Sequence, residues 1–434
     1  MFCEVIGSEF SKGNSQSCRN IVECKGLKSH DTRTVPIRNI ELFVNKLKVT
    51  VSLYCCTQAV NRSFSLRAVH SVLSGTGGVG FYTRNTSCIC RTGVEAISQI
   101  EACNISKTEI LDASKSYPTG SMFAGIGGIC LAFKNAGADV VWANEIDPHA
   151  CDTYRTHFGS GYLVEGDIKK IEAESIPRLD ILTAGFPCQA FSVAGHRKGF
   201  DDERGALFFE IIRVIKAKGP RAVFIENVKN LVKHDGGKTF DLICEYLTDC
   251  GYEVDGRVFN TKEYGNIPQN RERVYIVAFK NGEDKKNFSW PEPVELKVDI
   301  AAITHPEVKA GEKFYYSKGS RYYGMLDESM ERTDTVYQLR RTYVRENKNK
   351  VCPTLTANMG GGGHNVPLIR DDHGIRKLTP EECLMFQGFP PDFKFASNIA
   401  CSSRYKQAGN SVSVPVVERI AAEIIEAFRK TDSE

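Results

Sequence analysis

What this 434-residue chain lacks narrows its class before any motif is read. No apolar run approaches the length that spans a bilayer, which excludes a membrane-spanning helix and predicts no membrane partner. Met1 to Gly13 has no basic region followed by an apolar one, so no secretory leader is expected and the cytoplasm is the expected compartment. A strong charge of either sign is missing too. With 56 Lys and Arg against 53 Asp and Glu the formal net charge is +3, so any nucleic-acid affinity must come from local patches rather than bulk attraction. The sixteen cysteines show no repeated pair spacing of the kind that holds zinc. A chain this long needs no disulfide framework, so reduced thiols and no metal are expected. Hydrophobic residues at 41% and charged residues at 25% are ordinary globular values and argue against wholesale disorder or a fibre.

Residues 1–118 are rich in Ser, Thr and Asn and weakly periodic. They carry 14 Lys and Arg against 9 Asp and Glu, a surplus of five that leaves the rest of the chain two negative. Ile37 to Cys55 predicts a helix or a strand pair, and Ser65 to Leu73 one short helix. Gly75 to Gly80, GTGGVG, formally matches a dinucleotide fingerprint, but FYTRNTSCIC follows it and does not read as a helix, so a loop is expected there. Cys55, Cys56, Cys88 and Cys90 have poor zinc spacings. The segment is read as an N-terminal extension of unassigned role; that it also regulates transcription by binding a promoter is an alternative, with no clear helix-turn-helix pattern behind it.

From Thr119 the texture changes to strand, glycine turn and helix. Ser121 to Ala124 reads as a short strand, although Tyr117-Pro118-Thr119-Gly120 interrupts the apolar run expected before it. Gly125, Gly127 and Gly128 then turn into a helix over Ile129 to Asn135, where glycine lets the backbone approach a ligand and leaves helix N–H groups aimed at it. About 20 residues on, the strand Val140 to Ala143 ends at Glu145 and Asp147, and a carboxylate there can accept from both hydroxyls of a ribose. A third strand ends at Asp167. These successive strand-end acids predict a nucleoside cofactor, and spacing alone does not separate a dinucleotide from an S-adenosyl cofactor.

Leu179 to Ala184 reads as a buried strand that Gly185 and Pro187 end, which sets Cys188 on a turn at the C-terminal edge where open α/β sheets do their chemistry. The polar, glycine-bearing loop that follows, Val193 to Arg204, is long enough to move over a substrate. After a helix over Ala206 to Lys216, the strand Ala222 to Ile225 ends in Glu226 on the same edge as Cys188. The strand Arg273 to Phe279 is preceded by Gln269-Asn270-Arg271-Glu272, which puts Arg271 and Arg273 at alternate positions beside it.

In order and spacing, FAGIGG (Phe123 to Gly128), NEID (Asn144 to Asp147), GDI, GFPCQAFS (Gly185 to Ser192), ENV, QNRERVYIV, LTPEECLMFQGFP and QAGNSVSVPVV resemble the motifs of the DNA cytosine-C5 methyltransferases. The resemblance covers residues 119–434. It implies a doubly wound, Rossmann-like α/β domain that uses S-adenosyl-L-methionine, built from residues 119–280 and 376–434, with a smaller target-recognition domain inserted at 281–375. It implies Cys188 as the nucleophile that adds to cytosine C6, because C5 is otherwise a poor nucleophile. Glu226 would bond the exocyclic amine and protonate N3, a role that needs a protonated or proton-sharing carboxylate. Arg273 would hold O2, and Arg271 would support Cys188 or the adjacent phosphate.

The cofactor contacts so implied are Phe123, Gly125, Gly127, Gly128, Glu145, Ile146, Asp167, Pro187, Leu207 and Asn410. Gln189 and Ser192 would touch the substrate, and the Thr354-Leu355-Thr356 loop would lie in the major groove. The insertion mixes basic and aromatic residues, among them Tyr315, Tyr316, Tyr322, Tyr323, Tyr337, Arg340, Arg341, Tyr343 and Arg345, a combination that suits phosphate contact and base stacking. The implied partner is double-stranded DNA, the implied setting a bacterial restriction-modification system with a separate endonuclease, and the implied state a monomer. Relatives with the same chemistry modify a tRNA, the nearest alternative substrate.

Overall fold

The computed structural model describes residues 115–186, 206–347, 349–360 and 366–433, together with the backbone of seven strands between residues 2 and 90. The chain divides into two compact units, 1–116 and 117–434. In the first, Phe2–Glu9 pairs antiparallel with Arg19–Lys25, and Ile37–Asn45, Lys48–Cys55, Ser63–Val69, Val79–Thr83 and Thr86–Cys90 form an antiparallel sheet in chain order. Ile37 to Cys55 is thus a strand pair. The helix expected from Ser65 is a strand instead, and the reason is legible: Phe64, Leu66 and Ala68 alternate with Ser63, Ser65 and Arg67, a period of two. Residues 70–78, with the first four residues of the GTGGVG run, lie outside the described residues.

The second unit is built on a seven-stranded sheet. Its strands are β1 (Pro118–Met122), β2 (Asp139–Glu145), β3 (Leu163–Glu165), β4 (Ile181–Ala184), β5 (Ala222–Val228), β6 (Glu253–Asn260) and β7 (Glu272–Phe279). They lie in the order β3-β2-β1-β4-β5-β7-β6, with β7 antiparallel to both its neighbours and the other pairs parallel. Helices α1 (Gly128–Asn135), α2 (Pro148–Phe158), α3 (Ala206–Lys218) and α4 (Lys238–Asp249) alternate with the strands. The order reverses between β1 and β4, which opens a crevice at the C-terminal strand ends.

Period-two alternation sorts the central strands onto two cores. On β5, Ala222 and Phe224 face one side and Val223 and Ile225 the other; on β7, Tyr275, Val277 and Phe279 oppose Val274, Ile276 and Ala278. The interrupted start of β1 is accommodated by local packing. Thr119 donates its hydroxyl to Tyr117 O at 3.0 Å, and Gly120 leaves room for Leu179, whose Cδ1 would lie 2.6 Å from an added Cβ.

Later segments close this sheet. Helix α5 (Pro380–Phe386) opens on a capping box of Thr379 and Glu382 and is followed by α6 (Cys401–Asn410) and α7 (Val414–Ser433). The apolar face of α7, with Val416, Val417, Ile420, Ile424 and Phe428 all buried, joins the same core as α1. Tyr117 and Asn135 bond its Asp432 and Glu418. No helix among the described residues is long and apolar enough to cross a membrane.

The insertion carries a four-stranded antiparallel sheet of β8 (Tyr337–Leu339), β9 (Val344–Glu346), β10 (Leu368–Asp371) and β11 (Gly374–Lys377), ordered β9-β8-β10-β11. Its aromatics serve this lobe more than they face solvent. Tyr337 lies in its core with Leu326, Met330, Leu339, Leu368 and Ile375, and Tyr316, Tyr322 and Tyr323 pack against that cluster, leaving Tyr343 as the exposed one. Arg376, 1% exposed, bonds Asp371 and both oxygens of Glu382 and so ties the lobe to α5.

Candidate active site

The register of the sheet assembles the site. Met122 stands beside Asn144 and Ala184, and Ala184 beside Ile225. The next residue of each strand, Glu145, Phe123, Gly185 and Glu226, therefore falls in one row along the C-terminal edge. Phe123 occupies this row with φ of 56°, a left-handed conformation that a non-glycine residue adopts at a cost of roughly 1–3 kcal/mol and that clusters at functional sites.

Beyond it Gly125 and Gly127 also have positive φ, at 56° and 91°. Nothing lies within 4 Å of a Cβ built on Gly125, whereas one on Gly127 would stand 2.3 Å from the Phe158 ring. The first glycine keeps the crevice open and the second permits the helix to dock. Gly128, the first residue of α1, allows the close approach of Ser411, Phe389 and Val412.

Glu145 is fixed by its own backbone surroundings. Its Oε2 accepts from Gly125 N at 2.7 Å and its Oε1 from Ile146 N at 2.9 Å and Asp147 N at 2.8 Å. Three N–H donors lock the carboxylate while leaving lone pairs for hydroxyl donors. Ile146 beside it is 60% exposed, an apolar face open to a ring. Asp167 caps a short turn by accepting from Lys169 N, and Leu207 and Phe123 pack against one cluster. Asp147 caps α2, its Oδ1 accepting from His149 N at 3.0 Å. Burial would push its carboxyl up, but Lys406 at 2.9 Å and the N–H groups of His149 and Ala150 hold it below the ordinary aspartate range. Asn410 is exposed at the end of α6.

Glu226 lies within β5, which runs on two residues beyond it rather than ending there, and Arg273 approaches from the antiparallel neighbour. Arg273 Nε is 3.1 Å from Glu226 Oε1, each side chain 12% exposed. That oxygen has an ion-pair partner yet no aligned hydrogen bond among the described residues, so it is free to accept one. Glu226 Oε2 faces Gly185, 3.9 Å from where a Cβ would sit. Asn227 donates to Phe186 O at 3.0 Å and holds the segment that follows β4.

Pro187, Cys188, Gln189, Ser192 and the loop 193–204 lie outside the described residues. The described thiols nearby are poor rivals for a nucleophile: burial pushes Cys151 up to about 12 and Cys130 upward as well.

Two expected contacts are placed differently. Arg271 is 3% exposed, donating to Leu355 O at 2.8 Å, Ser411 O at 2.5 Å and Gly409 O at 3.4 Å. Burial and the Arg273 cation push its pKa down to about 9. The guanidinium braces backbone carbonyls in the interior. Leu355 is fully buried in the main core, so its side chain cannot read a groove. Thr354 donates to Asn270 O, and Thr356 is exposed. Asn227, Gln269 and Gln387 join these contacts without a role assigned to them from the sequence. The period-two run Gln269, Arg271, Arg273 was the available signal.

Residues 117–426 match the family model described as C-5 cytosine-specific DNA methylase. The chain is 53% identical over 311 residues to the type II methyltransferase M.Bsp6I of Bacillus sp. (strain RFL6), covering 71% of this chain and 98% of that protein. It is 37% identical to the type II methyltransferase M.HhaI of Haemophilus parahaemolyticus, covering 70% and 92%. Among solved structures it resembles the S. pombe Dnmt2 methyltransferase, with a TM-score of 0.56 at 21% identity over 72% of this chain and 99% of that one, a likeness of fold alone.

Proposed function

Because the chain belongs to the C-5 cytosine-specific DNA methylases and is a DNA cytosine-C5 methyltransferase, we propose that it methylates a flipped-out cytosine in a short duplex site. S-adenosyl-L-methionine, when bound, supplies an electrophilic methyl on a sulfonium. The observation that carries the reading is the single row of Glu145, Phe123, Gly185 and Glu226 across the switch point. One end of it suits a nucleoside and the other a base.

At the nucleoside end Glu145 takes the ribose hydroxyls, Phe123 and Ile146 sandwich the adenine, Asp167 accepts from its amine, and Leu207 completes the pocket. Gly125, Gly127 and Gly128 admit the cofactor's amino-acid portion, with Pro187 and Asn410 beside it.

At the base end the Cys188 thiolate forms a bond to C6, and the ring's electron pair moves toward C5. Glu226 bonds the exocyclic amine and holds the proton at N3, Arg273 holds O2, and Gln189 and Ser192 line the approach. C5 would then take the methyl, leaving a neutral thioether on the cofactor; water would accept the C5 proton, the C5–H electron pair would expel Sγ as the thiolate, and Glu226 would take back the N3 proton. Extrusion of the base from the duplex costs a few kcal/mol, which the surrounding contacts must offset. Thr354 and Thr356 face the groove, with Leu355 as their anchor.

The setting fits protection of host DNA beside a separate endonuclease, by a monomeric enzyme. Transfer of labelled methyl to duplex DNA and to tRNA, followed by mapping of the modified base, tests the reading. Label on cytosine C5 of a duplex is expected, and label confined to tRNA or to adenine would overturn it.

Two further outcomes are expected. Glu145→Gln weakens S-adenosylmethionine binding by about 10-fold or more in calorimetry, because a charge-assisted acceptor for two hydroxyls becomes a neutral amide. Unchanged affinity would remove Glu145 from the site. The exposed hairpin of β8 and β9 carries Arg341 and Tyr343 at its tip and Arg345 on β9. Replacing both arginines with alanine lowers the slope of log affinity against log salt by about 2, with the transfer rate at saturating DNA preserved. An unaltered slope would mean that the tip does not touch phosphate.

A further inference from the structure

The run that leads into β7 forms a brace that the chemistry above leaves without a task. Gln269, Arg271 and Arg273 occupy alternate positions of extended chain, and the first two are 0% and 3% exposed. Gln269 Nε2 donates to Phe386 O at 2.6 Å and to Gln387 Oε1 at 3.1 Å, while its Oε1 accepts from Leu355 N at 3.3 Å. Gln387, itself fully buried, passes the chain on by donating to Ala408 O at 2.9 Å.

Arg271 makes a second route through the carbonyls of Leu355, Gly409 and Ser411. Leu355 is therefore gripped at both its N–H and its C=O from one segment. Gly409 fits the same joint, since a Cβ there would stand 2.2 Å from the carbonyl carbon and oxygen of Thr356. Gln269 and Asn270 add a two-residue parallel pairing with Cys352 and Pro353. Two residues beyond Arg271, Arg273 meets Glu226.

An apolar filling would occupy this space without burying a guanidinium whose Nε has no partner among the described residues. A polar network kept at such a cost holds one backbone arrangement against its alternatives. We infer that Gln269 and Arg271 are positioning residues that carry the seating of the 354–356 loop on DNA to the Glu226–Arg273 pair, so that transfer is fast only on the correctly read site. The inference rests on the reading of that loop as groove-facing. Lysine in place of Arg271 keeps the charge but not the planar fork that spans separate carbonyls.

The test uses the full-length enzyme and the duplex mapped above, beside a duplex with one recognition base exchanged. For Arg271→Lys, DNA affinity within about 3-fold of wild type is expected, with the single-turnover transfer rate on the mapped duplex at least 30-fold lower. The ratio of rates between the two duplexes should fall at least 10-fold. Active sites are counted by burst amplitude. Should Arg271→Lys fail to fold, Gln387→Leu, which breaks the Gln269 route of the same brace, should give the same pattern at smaller size. A rate per active site and a discrimination ratio equal to wild type, with only thermal stability lowered, would reduce the brace to scaffolding and overturn the inference. If wild type itself transfers nothing to duplex cytosine, the functional reading fails instead.

Discussion

Cys188→Ala is expected to lose methyl transfer to duplex DNA by at least about 10⁴-fold, the scale on which removal of an activated nucleophile acts. The loss should be near total because the cytosine ring has no other route to a nucleophilic C5. The buried thiols among the described residues cannot stand in for the missing one. Cys130, Cys151, Cys352 and Cys383 are buried, and burial holds each thiol above its ordinary value. Binding of S-adenosylmethionine, by contrast, should persist, since Glu145 and its three donors are untouched. The check is labelled-methyl transfer beside calorimetric cofactor binding on one preparation. Transfer within about 100-fold of wild type, with the cofactor bound normally, would take the nucleophile's role away from Cys188.

Glu226→Gln is expected to slow transfer by about 10²–10⁴-fold, the usual contribution of a positioned acid–base group, with DNA affinity little changed. Shape is conserved, but the amide cannot hold a proton at N3. It also leaves Arg273, 12% exposed, without its counter-charge. A second effect follows. Urea unfolding should show a loss of about 1–3 kcal/mol, because an uncompensated buried cation has lost its partner while some solvent still screens it. The two readouts separate roles: normal transfer with lowered stability would make the pair structural, and the reverse would make it chemical.

The catalytic lobe was legible because its signals are local. A glycine turn, a strand-end acid and a proline behind an apolar run each announce themselves within a few residues, and Glu145, Gly185 and Arg273 stand where those signals put them. What the sequence concealed depends on partners far away in the chain. The antiparallel insertion of β7 between β5 and β6 is set by pairing across dozens of residues. Tyr337 reads as a stacking platform until the small sheet closes over it. Leu355 sits between two threonines in a loop that looks wholly exposed, and its burial follows from Gln269 and Arg271, 86 and 84 residues earlier.

The return of α7 to the β1 side has a consequence for biosynthesis. Tyr117 bonds Asp432, 315 residues later, and the core around α1 includes Ile420, Ile424 and Phe428. At roughly 5–20 residues per second of synthesis, the partners of β1 and α1 are made about 15–60 s after them. During that interval the nascent sheet has one face open and an apolar helix without its cover. The enzyme therefore cannot mature stepwise behind the ribosome from its cofactor end, and a chaperone that shields the α1 face until α7 emerges would raise the yield of active protein.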